Sequence, residues 1–395
     1  MARTVGVKVW GIRAPVIREG DNLRDIVTDS LKSAIKSENI LVQDNDVIGV
    51  TESLVARAQG NYVTLDDIAQ EVKEKYSNEI AVVFPILSRN RFSMILKAIA
   101  RGAKHVHLFL NYPSDEVGNH LMDPDILEES GINPYTDLLT EEKYRSIFGD
   151  TILHPFTGID YVSFYKEMAT NGNISVYLSN NPKSILEVTD EILCADIHSR
   201  HRTKRLLKKA GAKTVYGLDD LCTKPSANKG YNPEYGLLGS NKATEEKIKL
   251  FPRDGQRFVD SLYESLNSIT GKNIEVMIYG DGAFKDPVGK IWELADPVVS
   301  PAFTMGLSGL PNELKLKYLA DDLLNDLSGD ELNQAMKNEI KVKPKDLIGN
   351  MASEGTTPRR LTDLLGSLCD LTSGSGDKGT PIVLIQGYFD NYASE

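Results

Sequence analysis

Cysteine is scarce in this chain. Cys194, Cys222 and Cys369 are the three among 395 residues, an odd number with no CxxC pair, which argues against a disulfide framework or a structural zinc site and points to the reducing cytoplasm. Long apolar runs are missing too. Stretches such as IAVVFPIL at 80–87 fall far short of the roughly 20 residues a membrane helix needs, and the N-terminal MARTVGVKVWGIRAPVIREGD has no continuous apolar segment of the kind a secretion signal carries. Neither a membrane partner nor export is expected. Basic residues are in deficit, 45 Lys and Arg against 56 Asp and Glu for a net charge of −11. Such a field repels phosphate backbones, so nucleic acid is not the expected partner, and a phosphate-bearing ligand has to be met by a local basic site or a bound cation. The six histidines form no HExxH motif. No GxSxG elbow or Cys/His nucleophile signature occurs either.

What is present is an ordinary globular composition, 41% hydrophobic and 26% charged, in a chain long enough for two or three packed units. Strand-like runs alternate with helix-like ones, the pattern of an α/β (mixed α+β) architecture. TVGVKVW (4–10) reads as a strand, and Leu23, Ile26, Val27, Leu31, Ala34 and Ile35 fall at helical spacing after Asp21, a candidate cap. DVIGVT (46–51) reads as a short strand, and Thr64 with Asp67 has capping-box spacing. EIAVVFP, SRNRFSMILKAIARG and KHVHLFL make a β-α-β unit. A second such unit is expected from the strand 173–180, a helical stretch at 183–210 and the strand 212–218. A Gly, Asn and Pro-rich loop follows at 223–242, then a helix, a strand at 274–280, a helix-rich stretch at 311–373 and a closing strand at 380–388.

Three stretches can carry chemistry. Asp281 in YGDGAFKDP ends an apolar strand between two glycines. The carboxyl end of a strand is where α/β sheets bind ligands, and small neighbours let a metal ion or phosphate approach the backbone; the same residues also suit a plain turn. Asp160 in HPFTGIDYVSFY stands before a helix-like run. It can supply a hard oxygen ligand to Mg or Mn, or simply cap the helix. In SGSGDKGTPIVLIQG (373–387), successive backbone N–H groups can nest phosphate oxygens with Lys378 supplying charge, although the spacing is not that of a Walker loop and a helix-to-strand connection explains the same glycines. The basic segment SRHRTKRLLKKAGAK reads as a solvated helix face or a steering surface for an anion.

In chain order, APVIREGDNLRDIV, DVIGVTESLVARAQG, TGIDYVS, LFPRDGQRFVDSLYESL, VMIYGDGAFKDPVG and GSGDKGTPIVLIQG resemble the coenzyme F-420:L-glutamate ligase family (F-420-0:gamma-glutamyl ligase). The resemblance implies a homodimeric ligase core that uses GTP and Mg or Mn to phosphorylate a carboxylate, which the amine of L-glutamate then attacks to form a gamma-linked amide. The acceptor it implies is the deazaflavin coenzyme F-420-0 or a related molecule. A folate-type gamma-glutamyl ligase, or a nucleotide- and metal-binding regulatory protein without turnover, stays open beside it.

Carried over by position, the resemblance implies that Asp160 and Asp281 bind metal and act in catalysis. It places Ala14, Pro15, Val16, Ile17, Thr51, Glu52, Ser53, Arg57 and Ser163 on nucleotide-binding positions. Gly374, Ser375, Gly376, Asp377, Lys378, Gly379, Thr380 and Pro381 fall on the loop that wraps GTP. Gly282 stands where a hydroxyl residue follows the metal aspartate, Arg57 where a lysine is usual, Glu52 where a small polar residue is usual, and Ser163 where asparagine is usual. The ligase-like core is expected over 1–60, 154–165 and 249–395. Segments 61–153 and 166–248 are expected as Rossmann-like β-α-β insertions that shape the acceptor site.

Overall fold

The computed structural model describes residues 4–226, 229–286, 291–292, 294–357, 359–373 and 376–394. The chain opens with β1 (Lys8–Ile12) and β2 (Val47–Thr51), passes a short β3 (Tyr62–Thr64), and lays down β4 (Glu79–Val83), β5 (His105–Leu110), β6 (Leu139–Thr140), β7 (Ile174–Leu178), β8 (Glu191–Cys194) and β9 (Thr214–Gly217). Then come β10 (Asn241–Lys242), β11 (Lys247–Lys249), β12 (Glu275–Tyr279), β13 (Ala302–Phe303) and β14 (Ile382–Gln386). They form three sheets, ordered β1-β14-β2-β12-β13, β10-β11-β3 and β6-β7-β5-β4-β8-β9. The fold is mixed α+β.

In the first sheet only β2 and β12 run parallel, and both are buried, as their near-continuous apolar sequences require. One face is covered by the helices Leu23–Glu38 and Gly255–Thr270, the other by Leu361–Thr372. Helix 23–38 follows the apolar spacing, burying Leu23, Val27 and Leu31. Its cap is Asn22, which accepts the Asp25 N–H, and not Asp21. Asp21 instead accepts the Arg18 N–H at 2.6 Å, which ties the turn ahead of the helix.

The third sheet is doubly wound. From β4 the chain steps to β5 and β7 on one side, then to β8 and β9 on the other, all parallel. The helical stretch expected at 183–210 is broken in two. A 3-10 turn, Pro182–Glu187, precedes β8, and helix Arg200–Ala210 follows it. β8 is four residues, all buried, so it has no polar alternation to announce it. Residues 154–165, grouped above with the core, lie against this unit: Tyr161, Val162 and Tyr165 share its apolar cluster with Phe92, Leu108 and Val176.

Candidate functional site

Strand direction collects the sequence-predicted segments at one edge of the first sheet. Thr51, at the end of β2, stands opposite Tyr279 at the end of β12. β14 runs the other way, so its first residue, Ile382, faces Val50 and Ile12. The loop before β14 therefore meets the segments that follow β1 and β2. The Ala14 N–H donates to the Gly379 carbonyl at 3.3 Å and the Thr51 N–H to the Pro381 carbonyl at 3.1 Å. The Tyr279 hydroxyl donates to Ser373 Oγ at 2.5 Å and to the Pro381 carbonyl at 3.3 Å. Arg57 donates from Nε and Nη2 to the Ile17 carbonyl at 3.3 and 3.2 Å.

Thr51, Glu52, Ser53, Arg57 and Asp281 line a cleft of about 670 Å³ at this edge. Ala14, Pro15, Val16 and Ile17 border it without lining it, with Ile17 buried and Val16 exposed. Gly376, Asp377, Lys378, Gly379, Thr380 and Pro381 run alongside them, whereas Gly374 and Ser375 lie outside the described residues. Gly379 takes a positive φ of 62° and donates to the Gly376 carbonyl, a tight turn suited to glycine.

The opposite wall comes from elements the sequence did not flag. Asn90 and Arg91 arrive from the turn between β4 and helix Phe92–Gly102, and Asn241, Lys242, Lys247 and Lys249 from the second sheet. Arg91 joins two carboxylates: Nη2 lies 2.9 Å from Asp281 Oδ2 and Nη1 lies 2.7 Å from Asp296 Oδ1. Asp296 Oδ2 also accepts the Asp281 N–H at 2.8 Å, and Asp370 Oδ2 accepts the Gly282 N–H at 2.8 Å. Burial opposes the Arg91 charge, but Asp296, Asp281 and Glu52 outweigh it and hold its pKa above the ordinary arginine value. Burial, reinforced by Asp296, pushes Asp370 up against the Gly282 hydrogen bond. At the cleft floor Lys249 Nζ reaches both oxygens of Glu52, at 2.6 and 2.7 Å, with both side chains 6% exposed. Burial raises the Glu52 pKa against that pairing.

The glycines beside Asp281 make room for these acids. A Cβ on Gly280 would stand 2.3 Å from Asp296 Oδ2, and one on Gly282 would stand 3.0 Å from both Asp370 Oδ2 and Ser367 Cα. The strand-end reading of Asp281 located the cleft; Asp296 and Asp370 left no signal, being an acid before a proline and an acid inside a helix. Arg91 did leave one, because the turn after a parallel strand is a ligand-bearing position.

Asp160 and Ser163 do not line this cleft. Asp160 is the N-cap of helix Tyr161–Lys166 and accepts the Ser163 N–H at 3.0 Å. Arg145 closes on both its oxygens at 2.5 and 3.0 Å, and the Ile152 N–H adds a further bond at 3.1 Å. Burial would raise its pKa, yet Arg145 and these N–H groups hold it below the usual value. Capping, the second of the two readings of this residue, describes what its side chain does. Among the described residues no group of three or more His, Cys, Asp or Glu side chains is placed to hold a metal ion. Asp281 and Asp296 are the carboxylates nearest that role, and with Arg91 between them the donor set does not fit a divalent ion.

The doubly wound unit has a ligand crevice of its own at the switch between β4 and β8, and the protein fills it. Leu218, Leu237, Leu238 and Ala295 pack in, leaving a void of about 30 Å³. The backbone N–H groups of Ile197, His198 and Ser199, which lead into helix 200–210, donate to Glu116 at 2.6, 3.1 and 3.1 Å. An internal carboxylate thus takes the place where such a fold receives phosphate. In the basic helix Arg200 and Lys204 pair with Asp219, while His201, Arg202, Arg205, Lys208 and Lys209 are exposed.

No described helix is long and apolar enough to cross a membrane. No curated protein matches the chain. The sequence model of the F420-0:Gamma-glutamyl ligase family matches residues 11–387, a span that runs from the end of β1 through β14 and includes both halves of the cleft, and the chain belongs to that family.

Proposed function

We infer that the cleft carries out gamma-glutamyl ligation driven by GTP, with coenzyme F-420-0 or a related carboxylate as acceptor. The observation that supports this best is the polarity of the cleft. Arg57, Lys242 and Lys247 bring positive charge to its lining, suited to a triphosphate, while Asp281, Asp296 and Asp370 bring carboxylates, suited to an ammonium group. In the first step an acceptor carboxylate oxygen attacks the γ-phosphorus and GDP leaves. In the second, the glutamate nitrogen attacks the acyl carbon, the C–O bond to phosphate breaks, and the amine gives up a proton. Asp281 and Asp370 would orient the ammonium form, and Asp370, with its raised pKa, is the better placed to receive that proton. Mg or Mn belongs to the reading as a companion of the nucleotide, and it meets Asp281 or Asp296 only if Arg91 yields them.

The test is mass spectrometry of candidate acceptors incubated with glutamate and each nucleotide, looking for the mass of one added glutamyl group. Asp281→Asn is expected to lower incorporation at least about 10²-fold while the far-ultraviolet circular dichroism stays unchanged. Unchanged incorporation would refute the role of Asp281. The Arg91 bridge also favours a second reading, a nucleotide-binding protein without ligation, which predicts nucleotide binding with no glutamate-stimulated breakdown across the acceptor panel. A homodimer is part of the proposal, and light scattering on the eluting protein reads its mass.

A further inference from the structure

We propose that Lys249 is the contact for the terminal phosphate of the nucleotide, with Glu52 as the positioning residue that holds it; this rests on the reading of the cleft as a nucleotide site. The described lining carries five acidic and five basic side chains, so no net charge draws a triphosphate in, and capture depends on donors already in place. Lys249 is such a donor. Its side chain is 6% exposed, and Nζ reaches the two Glu52 oxygens at 2.6 and 2.7 Å, which engage at most two of its three N–H groups. No other protein group among the described residues accepts from it. A buried ammonium with a donor unspent is costly until an anion meets it. Other cations of the lining are already engaged: Arg57 bonds the Ile17 carbonyl, Arg91 bonds Asp281 and Asp296, and Lys242 bonds Glu245.

The strand β11 sets the direction in which a triphosphate lies. Lys247 and Lys249 stand two positions apart, so both side chains leave the same face of the strand, roughly 6–7 Å from each other along it. Ile248, between them, is buried in the apolar cluster. Lys247 is exposed and Lys249 is buried, and both line the cleft. Together they form a row of two ammonium groups that runs from mouth to floor, a match for a polyphosphate rather than for a single carboxylate. The nucleoside is the wide end of such a ligand and stays at the mouth. The phosphate that reaches the floor is therefore the terminal one, whose transfer depends on charge held in a fixed position. Glu52 supplies the fixing, because an ammonium bonded to both oxygens of a buried carboxylate has little freedom to turn away.

Calorimetric titration with GDP and with a non-hydrolysable GTP analogue, both in the presence of Mg2+, tests this without ligation, since the two ligands differ by the terminal phosphate alone. The variant is Glu52→Leu combined with Lys249→Met, which replaces both partners of a buried pair by apolar groups of similar size and so leaves no charge stranded. The affinity ratio of the GTP analogue to GDP is expected to fall about tenfold or more, with the affinity for GDP itself within about threefold of the parent. An unchanged ratio, or an equal loss for both nucleotides, makes the pair purely structural and overturns the proposal while the nucleotide reading of the cleft stands. A parent that binds neither nucleotide removes that reading and this proposal with it. If the double variant does not fold, Lys249→Gln carries the same test. Glu52, whose pKa burial already raises, then takes a proton and pairs with the amide, and the ratio should again fall about tenfold.

Discussion

Asp281 depends on what its neighbours leave out. Gly280 admits Asp296 and Gly282 admits Asp370, and the two contacts differ in how much they can give. The Gly280 Cβ position lies 2.3 Å from Asp296 Oδ2, which is fixed by the Asp281 N–H, in a carboxylate whose other oxygen, Oδ1, is held by Arg91. Gly280→Ala must push Asp296 off both, and a loss of about 1–3 kcal/mol is expected from overpacking of this kind. Gly282→Ala meets its neighbours at 3.0 Å, a distance that a small shift of the helix bearing Asp370 relieves, so its loss should be smaller. Urea denaturation midpoints compared at equal slope check the order; a Gly282→Ala loss equal to or above that of Gly280→Ala contradicts it. The sequence made Asp281 and its small flanks legible because strand, acid and glycines are contiguous. It could not show what the glycines accommodate, since Asp296 and Asp370 arrive from 15 and 88 positions away from the residues whose N–H groups they accept. Asp160 shows the converse. A local pattern equally suited to a ligand and to a cap became a cap, because Arg145 closed over it.

At the scale of elements, capping and periodicity were readable and short buried strands were not. The Thr64–Asp67 box forms as the spacing predicts, with the Thr64 N–H bonding Asp67 Oδ2 at 3.0 Å and the Asp67 N–H bonding Thr64 Oγ1 at 3.1 Å. β8 was hidden, and the turn behind it carries an unusual acid. Asp196 is buried; its Oδ2 accepts from the hydroxyls of Thr203 at 2.6 Å and Ser199 at 2.8 Å, whereas Oδ1 has no hydrogen-bond partner among the described residues. Burial pushes its pKa up to about 6 from 3.8. The native state therefore holds a proton that the unfolded chain has lost between those values. Stability from this group is full below 3.8, falls as pH rises to about 6, and stays low above it. Asp196→Asn keeps one accepting oxygen and removes the charge. It is expected to raise stability at pH 7 by about 1–3 kcal/mol and to flatten the decline between pH 4 and 6. Urea unfolding at pH 4.5 and pH 7 measures both, and a variant less stable than the parent at pH 7 would show that the ionised form is held by contacts stronger than these two hydroxyls.

Over the whole molecule, charge and topology work against each other in a useful way. A net charge of −11 repels a nucleotide at long range, so any triphosphate must be captured by a local patch. Topology supplies that patch: the second sheet pairs β11 with β3 and β10, which projects Lys242 and Lys247 over the edge formed by Thr51 and Asp281. From sequence, 223–242 reads as a long loop and 166–248 as an insertion that shapes the acceptor site, with no sign of a phosphate wall, because the pairing that assembles the patch joins residues nearly two hundred positions apart. Lys247 is exposed, so Lys247→Gln should leave the denaturation midpoint within about 0.5 kcal/mol of the parent. Its effect should fall on nucleotide capture, a rise in Kd for GTP of about five- to tenfold at low salt. That rise should shrink as ionic strength approaches 0.5 M, where the screening length drops to roughly half its value of about 10 Å at 0.1 M. Fluorescence titration with a labelled GTP analogue at three salt concentrations reads all of this. A salt-independent loss would mean that Lys247 acts through the packing of β11, and an unchanged Kd at low salt would remove the second sheet from the phosphate wall.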